Sequence, residues 1–429
     1  MTEAAIFDAR TSDGVKFGRE LRKKEFLFDE GWVNLNHVDD PIISSILITN
    51  TSEATIRASD PHALSTFSPK QHPYSSPHPS INDNPHHPGS FGTYPSPIRT
   101  VLRSYQDAAE ARPDHFIRYL YPPLLTASRA ALSTLLNVPA STLVFVPNAT
   151  TGINTVLRNL TYSPGDHILY FDTIYGACEK TVAYITETTA AESVKIKYTY
   201  PVEDEWLVGE LRRVVGEVES SGGKVKVAVF DTVVSMPGVR MPFERWLHVP
   251  RGCAVFHVPT KNHHLIRTTL PTSHAFIPKS SSHNIPSPLP SPPSLSTTTN
   301  TPPPTSSTSS TTSPFTLAFD FVGTIDNAPY LCVPTALTYR NQHLGGEQKI
   351  RTYCSTLALA GAHRVAQILG THVLDNATHT LTQCCMANVR LPLDVGGVRQ
   401  QTAGMAGASD EEVGMAVREW TPIHVLTPS

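Results

Sequence analysis

Between residues 141 and 259, short apolar runs alternate with segments whose apolar positions recur at helical spacing. TLVFV at 142–146, HILYF at 167–171, VKIKY at 194–198, VKVAVF at 225–230 and CAVFHV at 253–258 predict strands, being short and rich in β-branched or aromatic residues. Amphipathic stretches such as 178–187 and 205–218 predict helices between most of them. This alternation is the signature of an α/β fold with a largely parallel sheet. In such a sheet, ligands sit beyond the carboxyl ends of the strands, where helix N-termini present unpaired N–H groups to anions.

The pattern breaks down in two places. SSSHNIPSPLPSPPSLSTTTNTPPPTSSTSSTTSP, at 280–314, offers almost nothing to bury, so the entropy of ordering it has no compensation and it is expected to be a disordered loop. A second low-complexity stretch, 38–88, is rich in Ser, Pro, His and Asn and separates NLNH from GSFG, which read as parts of one unit. Much of the excess of proline, 37 against 24 glycines, falls in these two stretches. The expected organisation is an N-terminal arm at 1–37, the insertion at 38–88, a large α/β domain at 89–259, the loop at 280–314 and a smaller C-terminal α+β domain at 315–429. His72, His78, His86 and His87 have no periodicity to converge them and no Cys or carboxylate at ligand spacing, so no metal site is expected.

Charge narrows the partners. A net charge of -3 with 17 % charged residues indicates neither a nucleic-acid binder nor an acidic tail, leaving a small molecule or another protein. Cys178, Cys253, Cys332, Cys354, Cys384 and Cys385 have no CxxC pair and no regular spacing, which argues against a disulfide framework or a zinc site and suits a reducing cytoplasm. The first residues contain no apolar run, and no segment approaches the ~18 apolar residues of a membrane span.

Three strand ends carry candidate chemistry. After the first strand, Pro147-Asn148-Ala149-Thr150-Thr151-Gly152 leads into a helix, and the amides of Ala149 and Thr150, the Thr150 hydroxyl and the helix dipole would favour a phosphate. Taken alone, the turn reads better as a plain cap, since Asn and Thr are good caps without any ligand. Tyr175, after the second strand, offers a face on which a planar ring could stack, although a tyrosine beside a sheet is more often simply packed. Asp231 to Gly238, with Ser235, supplies small polar groups at the same edge.

NLNH with GSFGTYP, FVPNATTGINTVLRNL, FDTIYGACEKT, FDTVVSMPG, WLHVPRGCAVFHVP, LPTSHAFIP and FVGTIDNAPYLCVPTAL, in that order, resemble the class V aminotransferases. Among these pyridoxal-phosphate enzymes the likeness is to the isopenicillin N epimerase-like and hercynylcysteine sulfoxide lyase-like branch. It runs from about residue 17 to 393 once the two insertions are set aside. The resemblance implies fold type I, pyridoxal 5'-phosphate as cofactor, and a homodimer with its active sites at the interface. It implies a C–S lyase or epimerase acting on an amino acid or a sulfur-containing derivative. It assigns the phosphate to Ala149 and Thr150, the ring face to Tyr175 with Ser235 alongside, a phosphate contact in the neighbouring subunit to Thr324, and the substrate side to Asn36, His37 and Ser90.

The chain also departs from the family. Family members follow the strand at 225–230 with a helix, a strand ending in Asp-Gly-Ala-His, another helix, and a strand leading to Ser-Asn-x-His-Lys-Trp. Here MPFE runs straight into Arg245-Trp246, which places Arg245 where the cofactor lysine would stand. Two central strands, the aspartate that protonates the ring nitrogen and the lysine that forms the imine are therefore expected to be missing together. Arg245 is no substitute, because a guanidinium stays protonated and is not a nucleophile. Lys261 and Lys279 follow no matching strand end and are expected to be solvated, and by resemblance the family's carboxylate-gripping arginine segment is expected to be missing after TPIHVLTPS. Two readings result: an incomplete C–S lyase or epimerase, or a catalytically silent binding subunit that pairs with an intact homologue. Unpaired strand edges at the gap are expected to favour aggregation.

Overall fold

The structure is a computed structural model that describes residues 9–26, 44–48, 94–234, 236–242, 253–277, 279 and 313–392, with backbone alone for 44–48. All five anticipated strands form. They are β2 (Leu143–Val146), β3 (Asp166–Phe171), β4 (Glu192–Ile196), β5 (Lys224–Asp231) and β8 (Ala254–His257), with β1 (Ser44–Ile48) ahead of them and a short ribbon of β6 (Val233–Val234) and β7 (Val239–Arg240) after β5. β4 begins and ends two residues earlier than the apolar run suggested, because Tyr198 leaves the ladder and its hydroxyl joins a side-chain hydrogen-bond chain with Thr173 and Tyr200.

β3 is central and runs parallel to both β4 and β5. Its successive residues go to opposite faces, and each face is covered. Ile168 and Tyr170 of β3 and Val227 and Val229 of β5 pack against helices α4 (Ala149–Asn159) and α5 (Gly176–Thr188). Leu169, Phe171, Ala228 and Phe230 pack against α6 (Asp204–Ser220). α6 has its apolar residues Leu207, Leu211, Val214 and Val218 spaced four, three and four apart, which is one stripe of a helix. It ends at Ser220, two residues before Gly222, whose φ of +84° lies in the left-handed region, and a Cβ on the next residue, Gly223, would stand 2.8 Å from the His167 ring. That turn lets the chain double back into β5 at close range.

Two features correct the anticipated sheet. β8 runs antiparallel to β2, and the two form a separate two-stranded sheet, so among the described residues the parallel arrangement holds for β3, β4 and β5. The break falls after β5 and before β8, the interval that resemblance gives to the two missing strands. The far edge of β5 is nevertheless paired: β1 lies antiparallel along it, from Ser44 opposite Asp231 to Ile48 opposite Val227. A strand inside the low-complexity stretch was not anticipated, although SSILI alternates little and is β-branched enough to form one. The rest of that stretch and residues 280–312 lie outside the described residues. The anticipated disordered loop is also two residues too long, since Ser313 and Thr316 form a capping box that starts α7 (Pro314–Asp320) at Pro314.

The β2–β8 pair is gripped by α3 (Tyr121–Leu136) and α7. Phe145 stacks on Tyr330 at 5.3 Å, and Arg129 of α3 meets Asp320 at the end of α7 at 2.5 Å in a nearly buried ion pair. Further on, Phe17, just ahead of α1 (Arg19–Glu25), and Leu21 within it pack against Ile350 and Tyr353 of α10 (Glu347–Leu369), so residues from the two ends of the described chain share one apolar cluster, while Ile98 and Leu102 of α2 (Ser96–Ala111) pack against Ala328 and Cys332. Between α7 and α10 lie the short helices α8 (Ala328–Leu331) and α9 (Val333–Thr338). All six cysteines carry free thiols, and among the described residues no helix is long and apolar enough to cross a membrane.

Candidate functional site

α4 and α5 place the candidate residues. Asn148 at the end of β2 has extended backbone and caps α4: its side-chain oxygen accepts from the Thr151 amide at 2.8 Å and from the Thr151 hydroxyl at 3.0 Å. That leaves the amides of Ala149 and Thr150 and the Thr150 hydroxyl without a hydrogen-bonded partner among the described residues, at the positive end of an eleven-residue helix. Asn154 of α4 donates to Thr181 of α5 at 3.0 Å, and the Arg158 guanidinium lies 4.3 Å over the Tyr184 ring. Both contacts join positions at nearly equal depth from the two helix starts, so the helices run parallel and their N-termini open at the same end. Thr150 and Tyr175 therefore border one crevice.

Tyr175 is the residue just before α5, and 38 % of it is exposed. Its amide donates to Asp231 Oδ2 at 2.9 Å, and Asp231, the last residue of β5, is only 3 % exposed. Beside them, Asp172 follows β3, and burial pushes its carboxyl above the usual range, against the opposing pull of Lys195. The Thr173 hydroxyl meets Tyr198 at 2.7 Å, Tyr198 meets Tyr200 at 2.5 Å, and both phenols contact the Met241 sulfur. Burial pushes the Tyr198 phenol up to about 12, so these hydroxyls stay protonated and serve as neutral donors. This polar chain, and Asp231 as the partner of Tyr175, were missed from sequence. The only signal was that Asp172 and Asp231 each stand at a strand's carboxyl end.

Thr324 follows α7 in a turn set by Gly323, whose φ is +147°, and is exposed. A cavity of about 50 Å³ lies between Thr151 and Thr155 of α4 and the residues flanking Thr324, Val322 and Ile325. Thr324 itself makes no hydrogen bond among the described residues. Asn36, His37, Ser90, Ser235 and Arg245 lie outside the described residues.

No family profile matches the chain. The L-cysteine desulfhydrase-like protein lolT2 of Epichloe uncinata is 30 % identical over 382 residues, covering 77 % of this chain and 79 % of that protein. The chain belongs to the class V aminotransferase family. As a member of that family it takes the pyridoxal-phosphate fold type I, and the hercynylcysteine sulfoxide lyase of Schizosaccharomyces pombe (strain 972 / ATCC 24843) is 23 % identical to it, across 71 % of this chain and 79 % of that one. A solved structure of the cystine C-S lyase C-DES with cysteine persulfide superposes with a TM-score of 0.48 at 14 % identity, across 76 % of this chain and 93 % of that one.

The family's cofactor is pyridoxal 5'-phosphate, and the described residues fit part of it. Two open amides and a hydroxyl at a helix N-terminus suit its phosphate, and the exposed face of Tyr175 suits its ring. Lys195 is held by Glu179 at 2.8 Å, Lys226 lies 3.4 Å from Asp166, and Lys261 and Lys279 are exposed.

Proposed function

We propose that the protein is a pyridoxal-phosphate C–S lyase or epimerase of the class V type, acting on cysteine or a related sulfur-containing amino acid, and that this chain carries the phosphate and ring-face half of its site. The observation that carries the reading is the parallel pairing of α4 and α5, which brings the open amides of Ala149 and Thr150 to the crevice bordered by Tyr175. The names of the two enzyme relatives above, a desulfhydrase-like protein and a sulfoxide lyase, support the substrate class.

When bound, the cofactor supplies an electron sink for bonds at the amino-acid α-carbon. The chain's own residues do the holding. Ala149 and Thr150 donate to the phosphate, Tyr175 covers the ring, and Asn36, His37 and Ser90 lie on the substrate side. Exposure of Thr324 supports a homodimer in which each Thr324 completes the partner's phosphate site, with Ser235 next to the ring. A cytoplasmic setting agrees with the free thiols. Arg245 at the position of the attaching lysine leaves this chain without covalent capture there and without the proton transfer by a positioned base that contributes roughly 10²–10⁴-fold in rate.

The test is to incubate the full chain with pyridoxal 5'-phosphate, reduce with borohydride and map labelled lysines by mass spectrometry. Reversible binding without stoichiometric labelling is expected, together with negligible sulfide release from cysteine. Genomic sequence beside the codons for Glu244 and Arg245 is expected to encode an in-frame segment containing DGAH and HKW. Stoichiometric labelling of one lysine with turnover would show that the covalent site has been rebuilt elsewhere.

A further inference from the structure

We propose that Asp231 is a positioning residue for the ring face: by accepting the amide hydrogen of Tyr175, it holds the Tyr175 ring over the crevice that Ala149 and Thr150 open. The proposal rests on the cofactor reading above and deepens it.

The turn from β3 into α5 is tied down unevenly. Ile174 is buried in the core and donates to the Phe171 carbonyl at 3.0 Å, and the Tyr175 carbonyl accepts from Cys178 at 2.8 Å and Glu179 at 3.1 Å. On its amide side, Tyr175 is secured by Asp231 Oδ2 at 2.9 Å. A tyrosine cannot cap its own helix, because its hydroxyl lies too far from the first-turn amides, and α5 has no side-chain cap. Asp231, from the neighbouring strand, bonds the amide of the N-cap residue itself and puts a carboxylate near the positive end of α5.

Burial makes this contact consequential. Asp231 is withdrawn from water, where a carboxylate is costly unless hydrogen bonds compensate it, and the Tyr175 amide is one such bond. The ring, by contrast, remains partly exposed and within reach of a ligand. The carboxylate therefore fixes the backbone from which the ring projects without itself meeting the ligand. Its effect passes through Tyr175 and so falls on a ligand that carries a ring, not on one that carries only phosphate.

Two probes separate these contributions: pyridoxine 5'-phosphate, which has ring and phosphate but no aldehyde, and inorganic phosphate. Both are titrated calorimetrically into the full chain. Asp231→Ala and Tyr175→Ala are each expected to weaken pyridoxine 5'-phosphate roughly three- to tenfold, the range of an aromatic contact. The double variant is expected to be no weaker than either single one, and inorganic phosphate to stay within about twofold throughout. Asp231→Asn, which keeps an acceptor oxygen, is expected to recover most of the loss.

Equal weakening of both probes, additive losses in the double variant, or no effect of Asp231→Ala overturns the proposal while leaving the cofactor reading in place. Failure of the unchanged chain to bind either probe overturns the cofactor reading and this proposal with it. If Asp231→Ala does not fold, amide hydrogen exchange in the unchanged chain decides: a protected Tyr175 amide supports the proposal, and one exchanging at the unprotected rate overturns it.

Discussion

In β3 and β5 each strand lies between two neighbours, and helices cover both faces, with α4 and α5 on one side and α6 on the other. β2 and β8 have only each other as strand neighbours among the described residues, and the helices that grip them, α3 and α7, are joined by the ion pair of Arg129 and Asp320. The first piece is held mainly by apolar area, which accumulates without demanding geometry. The second depends in part on two charges withdrawn from water, and such a pair holds only while both partners are present. Asn148 to Thr151 and Tyr175 belong to strand–turn–helix units, so their placement follows from the packing of α4 and α5 on the first piece.

The sharpest way to break this comparison is Arg129→Met, which leaves Asp320 buried with no partner. Burial already pushes the Asp320 carboxyl up in spite of Arg129. A loss of about 3–5 kcal/mol is expected in urea unfolding, and a loss below 1 kcal/mol would mean that the β2–β8 piece is held by packing after all. In the other piece, Leu207→Ala removes a fully buried side chain of α6 and is expected to cost about 2–5 kcal/mol by the same measurement. Neither cost is expected to change much with added salt, because the Arg129–Asp320 pair is withdrawn from water and buried pairs are screened far less than exposed ones.

Smaller effects test the turns that start α4 and α5. Asn148→Ala removes the cap of α4 and is expected to lower stability by about 0.5–2 kcal/mol, and to weaken inorganic phosphate binding by disordering the turn that presents Ala149 and Thr150. Asp172→Asn is expected to have the mildest effect and the opposite sign. Because burial raises the folded-state pKa of Asp172, its ionised form is penalised in the folded protein. The variant should be the more stable at neutral pH, with the gain shrinking as pH falls through the raised folded-state value towards the ordinary carboxylate range. A thermal-melt series between pH 7 and pH 3 checks this, and a gain that grows as pH falls would refute the assignment.

Much of the first piece could be read in the sequence. The alternation Ile168, Leu169, Tyr170, Phe171 and the stripe Leu207, Leu211, Val214, Val218 are local patterns, and local patterns survive in a single sequence. The turn at Asn148 to Thr151 was legible for the same reason. Strand direction was not, because CAVFHV reads identically whether it runs with β2 or against it. Nor were the bonds between Tyr175 and Asp231 or between Arg129 and Asp320, which join residues far apart in the chain. β1 was hidden by its surroundings: five residues capable of forming a strand sit inside a stretch whose overall composition argues for none.

The pairing of β1 with β5 also bears on the order in which the chain folds. Ser44 meets Asp231 across most of the large domain's sequence, so this ladder closes a long loop that gains nothing until its ends meet. β3, β4 and β5 can assemble through shorter crossovers before that happens. During the interval the outer edge of β5 is open to a second molecule, and the yield on refolding is therefore expected to fall as protein concentration rises, even where the finished fold leaves that edge covered.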